Sequence, residues 1–278
     1  MNKDTNRIMA LINAYRMDGL GNNFIIIDER QNSIEINKDR IINLANKKSF
    51  PFDQLIILGK AEGNVHPIKI FNPDGIEVAA CGNGSRCVAY LIYQENKENK
   101  ISIKTKERIL YAEIISEQNV KINMGKPKFD WKEIPLSKNM RTDQTNIDVL
   151  DKKYGHGFCL NIGNPHIVFF VKDCSKISIG ELGPKIENHK YFPEKINVTF
   201  AQVLDKKNIK INFWERGAGQ TEACGTAACA TAVAGSLKGF TEKTVDIHFK
   251  RGNLKIDYGK EIFMSGNVSK VKKIDLDI

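Results

Sequence analysis

The chain lacks any apolar run long enough to cross a bilayer. Leu55 to Leu58 and Ile167 to Val171 are among its longest, against the ~20 residues that a spanning helix needs. It lacks the features of a secretory leader, since Met1 to Leu11 is polar until Ile8. Close cysteine pairs are missing too. The 6 cysteines stand at positions 81, 87, 159, 174, 224 and 229. The gaps from Cys81 to Cys87 and from Cys224 to Cys229 are wider than the roughly two to four residues between cysteines of a structural zinc site. A disulfide framework is not expected either, because thiols in the cytoplasm stay reduced. The net charge is +9 but unclustered, with lysines at Lys47-Lys48, Lys97 to Lys100, Lys152-Lys153, Lys206-Lys207 and Lys270 to Lys273. Basic surfaces that track phosphates concentrate their charge on one element. These absences argue against a membrane span, a structural zinc site and a nucleic-acid binder, and they make a soluble cytoplasmic protein the expectation.

What is present is a duplication. Cys224 follows Cys81 by 143 residues, Glu215 follows Asn72 by 143, Asn197 follows Gln54 by 143, and Asn164 follows Asn22 by 142. Four polar or reactive pairs at one spacing indicate an internal repeat, the first thing to settle about a fold. A chain of 278 residues suits two domains of ordinary size. We expect an N-terminal tail over 1–13, a first half over 14–127 and a second over 128–265. The segment between Gly125 and Asp151, broken by Pro127 and Pro135, would serve as linker.

Each half reads as α+β. Strand-like runs occur at Phe24 to Asp28, Asp53 to Leu58, Ile68 to Asn72 and Val120 to Met124. Asn37 to Lys48 has helical periodicity, and so does the stretch from Val88 to about Asn96. The order recurs with Phe158 to Asn161, Ile167 to Val171, a helix from Ile179 to His189, Asn197 to Val203 and Ile209 to Trp214. An Ala-rich helix, Ala227 to Leu237, is closed by Gly239, and a hairpin surrounds Arg251-Gly252-Asn253. The expected fold is therefore two pseudo-symmetric domains, each a mixed sheet around a central helix that starts just after its cysteine. The active site would lie in the cleft between them.

A cysteine at a helix N-terminus has chemical consequences. Unpaired N–H groups and the helix dipole favour negative charge there, which is expected to depress the thiol pKa. The same groups can receive a carboxylate. Gly82 and Gly225 would let a ligand approach the backbone. An isolated Cys-Gly is more often simple packing, but the matched copy shifts the reading to two thiols converging on one ligand. Cys87 and Cys229 fall inside helices, and Cys159 and Cys174 have no partner motif, so all four are read as structural. Asn22, Gln54, Asn72, Asn164 and Asn197 would each pass alone as turn or cap residues, whereas their shared register makes them candidate walls of the cleft. Glu215-Arg216 could bind an ammonium and a carboxylate, and His166, beside a duplicated motif, could tune a thiol.

The stretches Gly19-Leu20-Gly21-Asn22, Phe71-Asn72-Pro73-Asp74-Gly75, Cys81-Gly82-Asn83-Gly84-Ser85-Arg86-Cys87, Gly163-Asn164-Pro165-His166 and Glu215-Arg216-Gly217-Ala218-Gly219 leading to Ala223-Cys224-Gly225-Thr226 closely resemble the diaminopimelate epimerase family. Departures are few: Asn23 replaces the usual Asp, and Ala227 stands where Gly is common. The resemblance implies epimerisation of LL- to meso-diaminopimelate on the route to lysine and peptidoglycan, without cofactor or metal. Cys224 would accept the proton and Cys81 donate one, with His166 and Glu215 adjusting the thiols. Substrate contacts implied are Asn22, Gln54, Asn72, Gly82, Asn83, Asn164, Asn197, Glu215, Arg216, Gly225 and Thr226. The resemblance also implies a C-terminal strand (266–278) returning to the first half, and a homodimer.

Rival readings are a cofactor-independent racemase of proline, hydroxyproline or histidine, and a non-catalytic thiol or metal-binding protein. A pyridoxal enzyme is disfavoured, since no lysine occupies a duplicated position. Two facing thiols should join under oxidant. An inactive oxidised form restored by dithiothreitol is expected, and activity indifferent to oxidant would count against the facing pair.

Overall fold

Short β-rich runs bounded by Gly, Pro and Asn turns build most of this molecule, and two helices are enclosed by them. The computed structural model describes residues 12–32, 34–47, 49–79 and 81–276. Residues 1–11 of the tail expected over 1–13 lie outside the described residues, as do Lys48 and the last two positions of 266–278. The first half comprises β1 (Asn13–Gly19), β2 (Asn22–Asp28), α1 (Lys38–Ala45), β3 (Gln54–Leu58), β4 (Val65–Phe71), β5 (Glu77–Val78), α2 (Gly82–Asn96), β6 (Lys100–Lys104), β7 (Ile109–Ser116) and β8 (Asn119–Gly125). The second comprises β9 (Phe158–Asn161), β10 (Pro165–Phe170), α3 (Ile179–Glu187), β11 (Asn197–Asp205), β12 (Asn208–Trp214), α4 (Gly225–Leu237), β13 (Thr244–Phe249), β14 (Gly252–Tyr258) and β15 (Ile262–Asn267), followed by β16 (Lys272–Asp275).

The pairing pattern repeats strand for strand. β2 runs parallel to β3 with Phe24 opposite Gln54, and β10 runs parallel to β11 with His166 opposite Asn197. β3 and β4 pair antiparallel with Leu55 opposite Phe71, and β11 and β12 do so with Val198 opposite Trp214. Each pair of residues is displaced from its copy by 142 or 143 positions, so the duplication read from polar residues is preserved in hydrogen-bond register. The parallel pairs require crossovers, and those are where α1 and α3 sit. An antiparallel seam of β8 and β15 joins the halves into one continuous sheet, and β16 closes the far edge on β1. The architecture is mixed α+β with a duplicated domain.

Burial follows from this arrangement. β2 is apolar on both faces: Phe24 and Ile26 join the central core, while Ile25 and Ile27 face the cluster that includes Ile41 and Leu44 of α1. Such a doubly buried strand reads as a continuous hydrophobic run. α2 contacts β1, β2, β3, β6, β7 and β8, and α4 contacts every strand from β9 to β15. α4 is buried from Ala227 to Gly235, as a helix apolar on all sides must be.

Among the strands not legible in sequence are β1 and β15. β1, with the sequence NAYRMDG, has no β-branched residue and an irregular burial pattern, and it is held by pairing to β2 and β16. β15 carries Ser265 and Gly266 and is specified by the seam rather than by propensity. No helix among the described residues is long and apolar enough to cross a membrane.

Burial raises all six thiol pKa values, Cys81 to about 11 and Cys159 and Cys229 to about 12. An unfolded thiol titrates near ~8.5. Stability from the raised groups is therefore complete below that value and is lost as pH rises through the folded values. Under reducing conditions the urea midpoint is expected to drop between about pH 8 and about pH 9.5. An unchanged midpoint would mean that the thiols are not held neutral by the fold.

Candidate active site

Cys81 and Cys224 are the N-caps of α2 and α4, with nearly the same backbone: φ −142°, ψ 112° for Cys81 and φ −131°, ψ 110° for Cys224. Each carbonyl accepts the first helical bond, from Ser85 N at 2.9 Å and from Ala228 N at 3.1 Å. Extended dihedrals with a helical carbonyl define an N-cap, and the first-turn N–H groups beyond it are left over by the helix. The Cys81 Sγ accepts one of them, Gly84 N, at 3.4 Å. The Cys224 Sγ instead lies 3.4 Å from Thr226 Oγ1. Both thiols border one cavity of about 200 Å³, Cys81 partly open to it and Cys224 buried.

Glycine follows each cysteine for a reason located behind the cavity. A Cβ on Gly82 would stand 2.7 Å from Cε of Met264, and one on Gly225 would stand 2.8 Å from its Sδ. Met264 belongs to the seam strand β15 and is wholly buried. Sequence reasoning assigned these glycines to ligand approach. The structure shows that the end of a single methionine lies under both helix starts and would have to shift for a side chain at either glycine.

Asn22, Gln54, Asn72, Gly82, Asn83, Asn164, Glu215, Gly225 and Thr226 line the cavity together with the two cysteines. Gln54 Nε2 donates to Asn72 Oδ1 at 3.2 Å. Asn83 Nδ2 donates to Asn22 Oδ1 at 2.7 Å, and Asn83 Oδ1 in turn accepts from Arg86 Nη2 at 2.8 Å. Arg86 is fully buried and also donates to the carbonyl of Asn267 at 3.2 Å. It thus fixes which way the Asn83 amide faces.

Three expected residues do not line the cavity. Asn197 is buried behind it, donating to Pro165 O at 2.8 Å and accepting from Arg216 N at 2.9 Å. Arg216 turns its guanidinium to Glu194 O at 3.1 Å. His166 bonds Asn164 Oδ1 at 2.9 Å, and its ring is fully buried. Conversely, Asp53, Ala218, Thr221 and Ala223 line the cavity without having been singled out. Asp53 opens the strand-like run that places Gln54, which was the available signal. Thr221 donates to Glu215 Oε1. Glu187, at the end of α3, accepts from Trp214 Nε1 at 2.7 Å and Gly217 N at 2.8 Å, which anchors the turn after Glu215. Only the folded chain brings it there.

Electrostatically the site departs from expectation. The helix ends were expected to depress the thiol pKa, but burial outweighs them. Cys81 is pushed up to about 11, although the bond from Gly84 N and the positive Arg86 act to lower it. Cys224 is raised well above an ordinary thiol, first by burial and then by the charge of Glu215. Burial also raises Glu215, against its bonds to Thr221 and Cys224. His166 is pushed down to about 3 by burial, with the nearby Arg216 adding to it, and is neutral. A cavity with a neutral thiol at each of two helix starts and a carboxylate beside them can take up an amino acid and move protons on it. The groove across the seam, about 550 Å³ and lined by residues such as Asn119, Lys121, Asp246 and Asp257, is larger but holds no thiol.

The sequence profile described as Diaminopimelate epimerase matches residues 14–130 and 158–271. A diaminopimelate epimerase of Pelagibacter ubique (strain HTCC1062) is 44% identical over 272 residues, covering 96% of this chain and 99% of its own. One from Wolbachia sp. subsp. Brugia malayi (strain TRS) is 40% identical, covering 91% and 96%. Among solved structures, a phenazine biosynthesis protein of the PhzF family (Enterococcus faecalis) superposes with a TM-score of 0.70 at 13% identity, covering 96% of this chain and 100% of its own. A hydroxyproline epimerase from Agrobacterium vitis gives 0.60 at 12% identity, covering 97% and 94%. Identities this low establish a common fold and nothing finer.

Removing the Glu215 charge should ease ionisation of Cys224, because that carboxylate opposes the thiolate. In Glu215→Gln the midpoint of the pH dependence of Cys224 alkylation, followed by peptide mass spectrometry, is expected to move to lower pH. An unmoved midpoint would leave burial as the sole cause.

Proposed function

The chain belongs to the diaminopimelate epimerase family, and from this premise we propose that it interconverts LL- and meso-diaminopimelate by proton transfer between Cys224 and Cys81. The observation that carries the proposal is the pair of cysteine N-caps with matched backbone on one cavity. In the LL-to-meso direction Cys224 is the base and Cys81 the acid, and the roles exchange in reverse.

An amino-acid α-proton is far less acidic than a thiol, so a base alone does not suffice. The carbanion's charge spreads into the α-carboxylate, and the first-turn N–H groups of α2 and α4 are suited to receive it. One such preorganised donor contributes roughly 3–4 kcal/mol to a transition state, so two helix starts acting together supply more than the base does. No cofactor enters this scheme.

The raised thiol values support a substrate-triggered base. With the cavity empty, Glu215 and burial keep both thiols protonated. An ammonium bound beside Glu215 offsets that carboxylate's field, lowering the cost of a thiolate when a substrate is present. Asn22, Gln54, Asn72, Asn83 and Asn164 hold the remaining polar groups of the substrate, with Gly82, Gly225 and Thr226 at the helix starts. Asn197 and Arg216 act from behind the cavity wall, and His166, being neutral, acts through Asn164. We also infer halves bounded at 14–127 and 128–265, with 266–278 returned to the first; the pairing of β16 with β1 supports this division. The family resemblance supports a cytoplasmic homodimer serving lysine and peptidoglycan supply.

Reduced protein incubated with LL-diaminopimelate in D2O is expected to yield meso product carrying α-deuterium. Cys81→Ser and Cys224→Ser should each lose nearly all epimerisation while keeping the fold by circular dichroism. Near-normal turnover in either variant would sink the two-thiol scheme. Absence of product with wild type would move the reading to another amino acid, beginning with proline.

A further inference from the structure

The duplicated hairpins β6–β7 and β13–β14 each carry an arginine immediately before the second strand. Ile103 opposite Leu110 in the first corresponds to Ile247 opposite Leu254 in the second, so Arg108 and Arg251 differ by one position in that alignment. Both reach a glycine of the opposite half. A Cβ on Gly21 would lie 2.9 Å from Cδ of Arg251, and one on Gly163 would lie 3.6 Å from Nη2 of Arg108. Gly21 and Gly163 are themselves copies, each with positive φ (+91° and +102°). Each immediately precedes a cavity asparagine, Asn22 or Asn164.

We propose that Arg108 and Arg251 are paired cross-cleft positioning residues, each holding the asparagine turn of the opposite half against the substrate cavity. The proposal rests on the cavity being the epimerase site. Arg251 connects three segments. Its stem covers Gly21, its Nε lies 3.3 Å from Glu222 Oε2 just before Cys224, and the adjoining Gly252 meets Leu20. The pair with Glu222 is exposed and contributes little energy by itself; what it supplies is direction, keeping the stem over the glycine. Arg108 is half-buried and donates from Nη1 to Met124 O at 2.8 Å while Nη2 faces the Gly163 turn. One arginine uses its stem and the other uses both ends of its guanidinium fork, so they differ in what can replace them.

The test combines kinetics with thiol accessibility in Arg251→Ala, Arg251→Lys, Arg108→Ala and Arg108→Lys. Arg251→Ala is expected to raise KM for LL-diaminopimelate about fivefold with kcat within about twofold, the pattern of a lost binding geometry. Arg251→Lys keeps the Cδ over Gly21 and should recover most of that loss. Arg108→Lys cannot bond Met124 O and face Gly163 together and should behave like Arg108→Ala. Iodoacetamide labelling, read by peptide mass spectrometry, should become faster at Cys81 and Cys224 in Arg251→Ala but remain unchanged at Cys229. Unchanged KM and unchanged labelling in Arg251→Ala would overturn the proposal, as would labelling that accelerates equally at Cys229, since that reports general loosening. Arg251 is exposed, so its variants decide the matter even if Arg108→Ala fails to fold. A wild-type protein inert toward LL-diaminopimelate would refute the epimerase reading, while the labelling contrast would still test the two arginines.

Discussion

The whole site depends on how closely two helix N-termini can approach over one methionine. Met264 lies in the strand that joins the halves, and its thioether end touches the places where Gly82 and Gly225 would carry a Cβ. A side chain at either glycine would have to displace the end of Met264, which is wholly buried. A polarisable, unbranched side chain suits such an irregular gap. The seam strand thus joins the halves and places one side chain beneath both helix starts.

Close approach has an electrostatic price, because enclosing two thiols between helices removes the water that would solvate a thiolate. That effect exceeds the pull of the helix dipoles, and both thiols are neutral at rest. The same dry environment strengthens every fixed dipole aimed at a charge that appears during reaction. On the proposed reading, such a site is quiet without ligand and responsive with one. Glu215 is well suited to link the two conditions, since it opposes the thiolates and would attract an ammonium.

The two halves share register yet have diverged in chemistry. Gln54 and Asn72 bond each other at the cavity wall, whereas their copies Asn197 and Glu215 have separated, one behind the wall and one beside Cys224. Arg86, buried and bonded to Asn83, has Cys229 as its copy. A symmetric scaffold therefore carries an asymmetric site. This suits a ligand that presents different groups to its two sides.

The sequence by itself determined the duplication, the two helices that begin at Cys81 and Cys224, and most of the cavity wall, because these are encoded by local signals repeated at a constant spacing. Glycine beside each cysteine, helical periodicity after it and asparagine in matched turns all survive reading one residue at a time. Only the tertiary structure decided the rest. β1 and β15 are strands because neighbours pair with them, not because their residues favour it. The sign of the thiol shift was decided by burial, a property of everything packed around the sulfur, and local helix-end reasoning missed it. Asn197, Arg216 and His166 are absent from the cavity lining because side-chain direction depends on partners such as Pro165, Glu194 and Asn164, which the fold brings within reach.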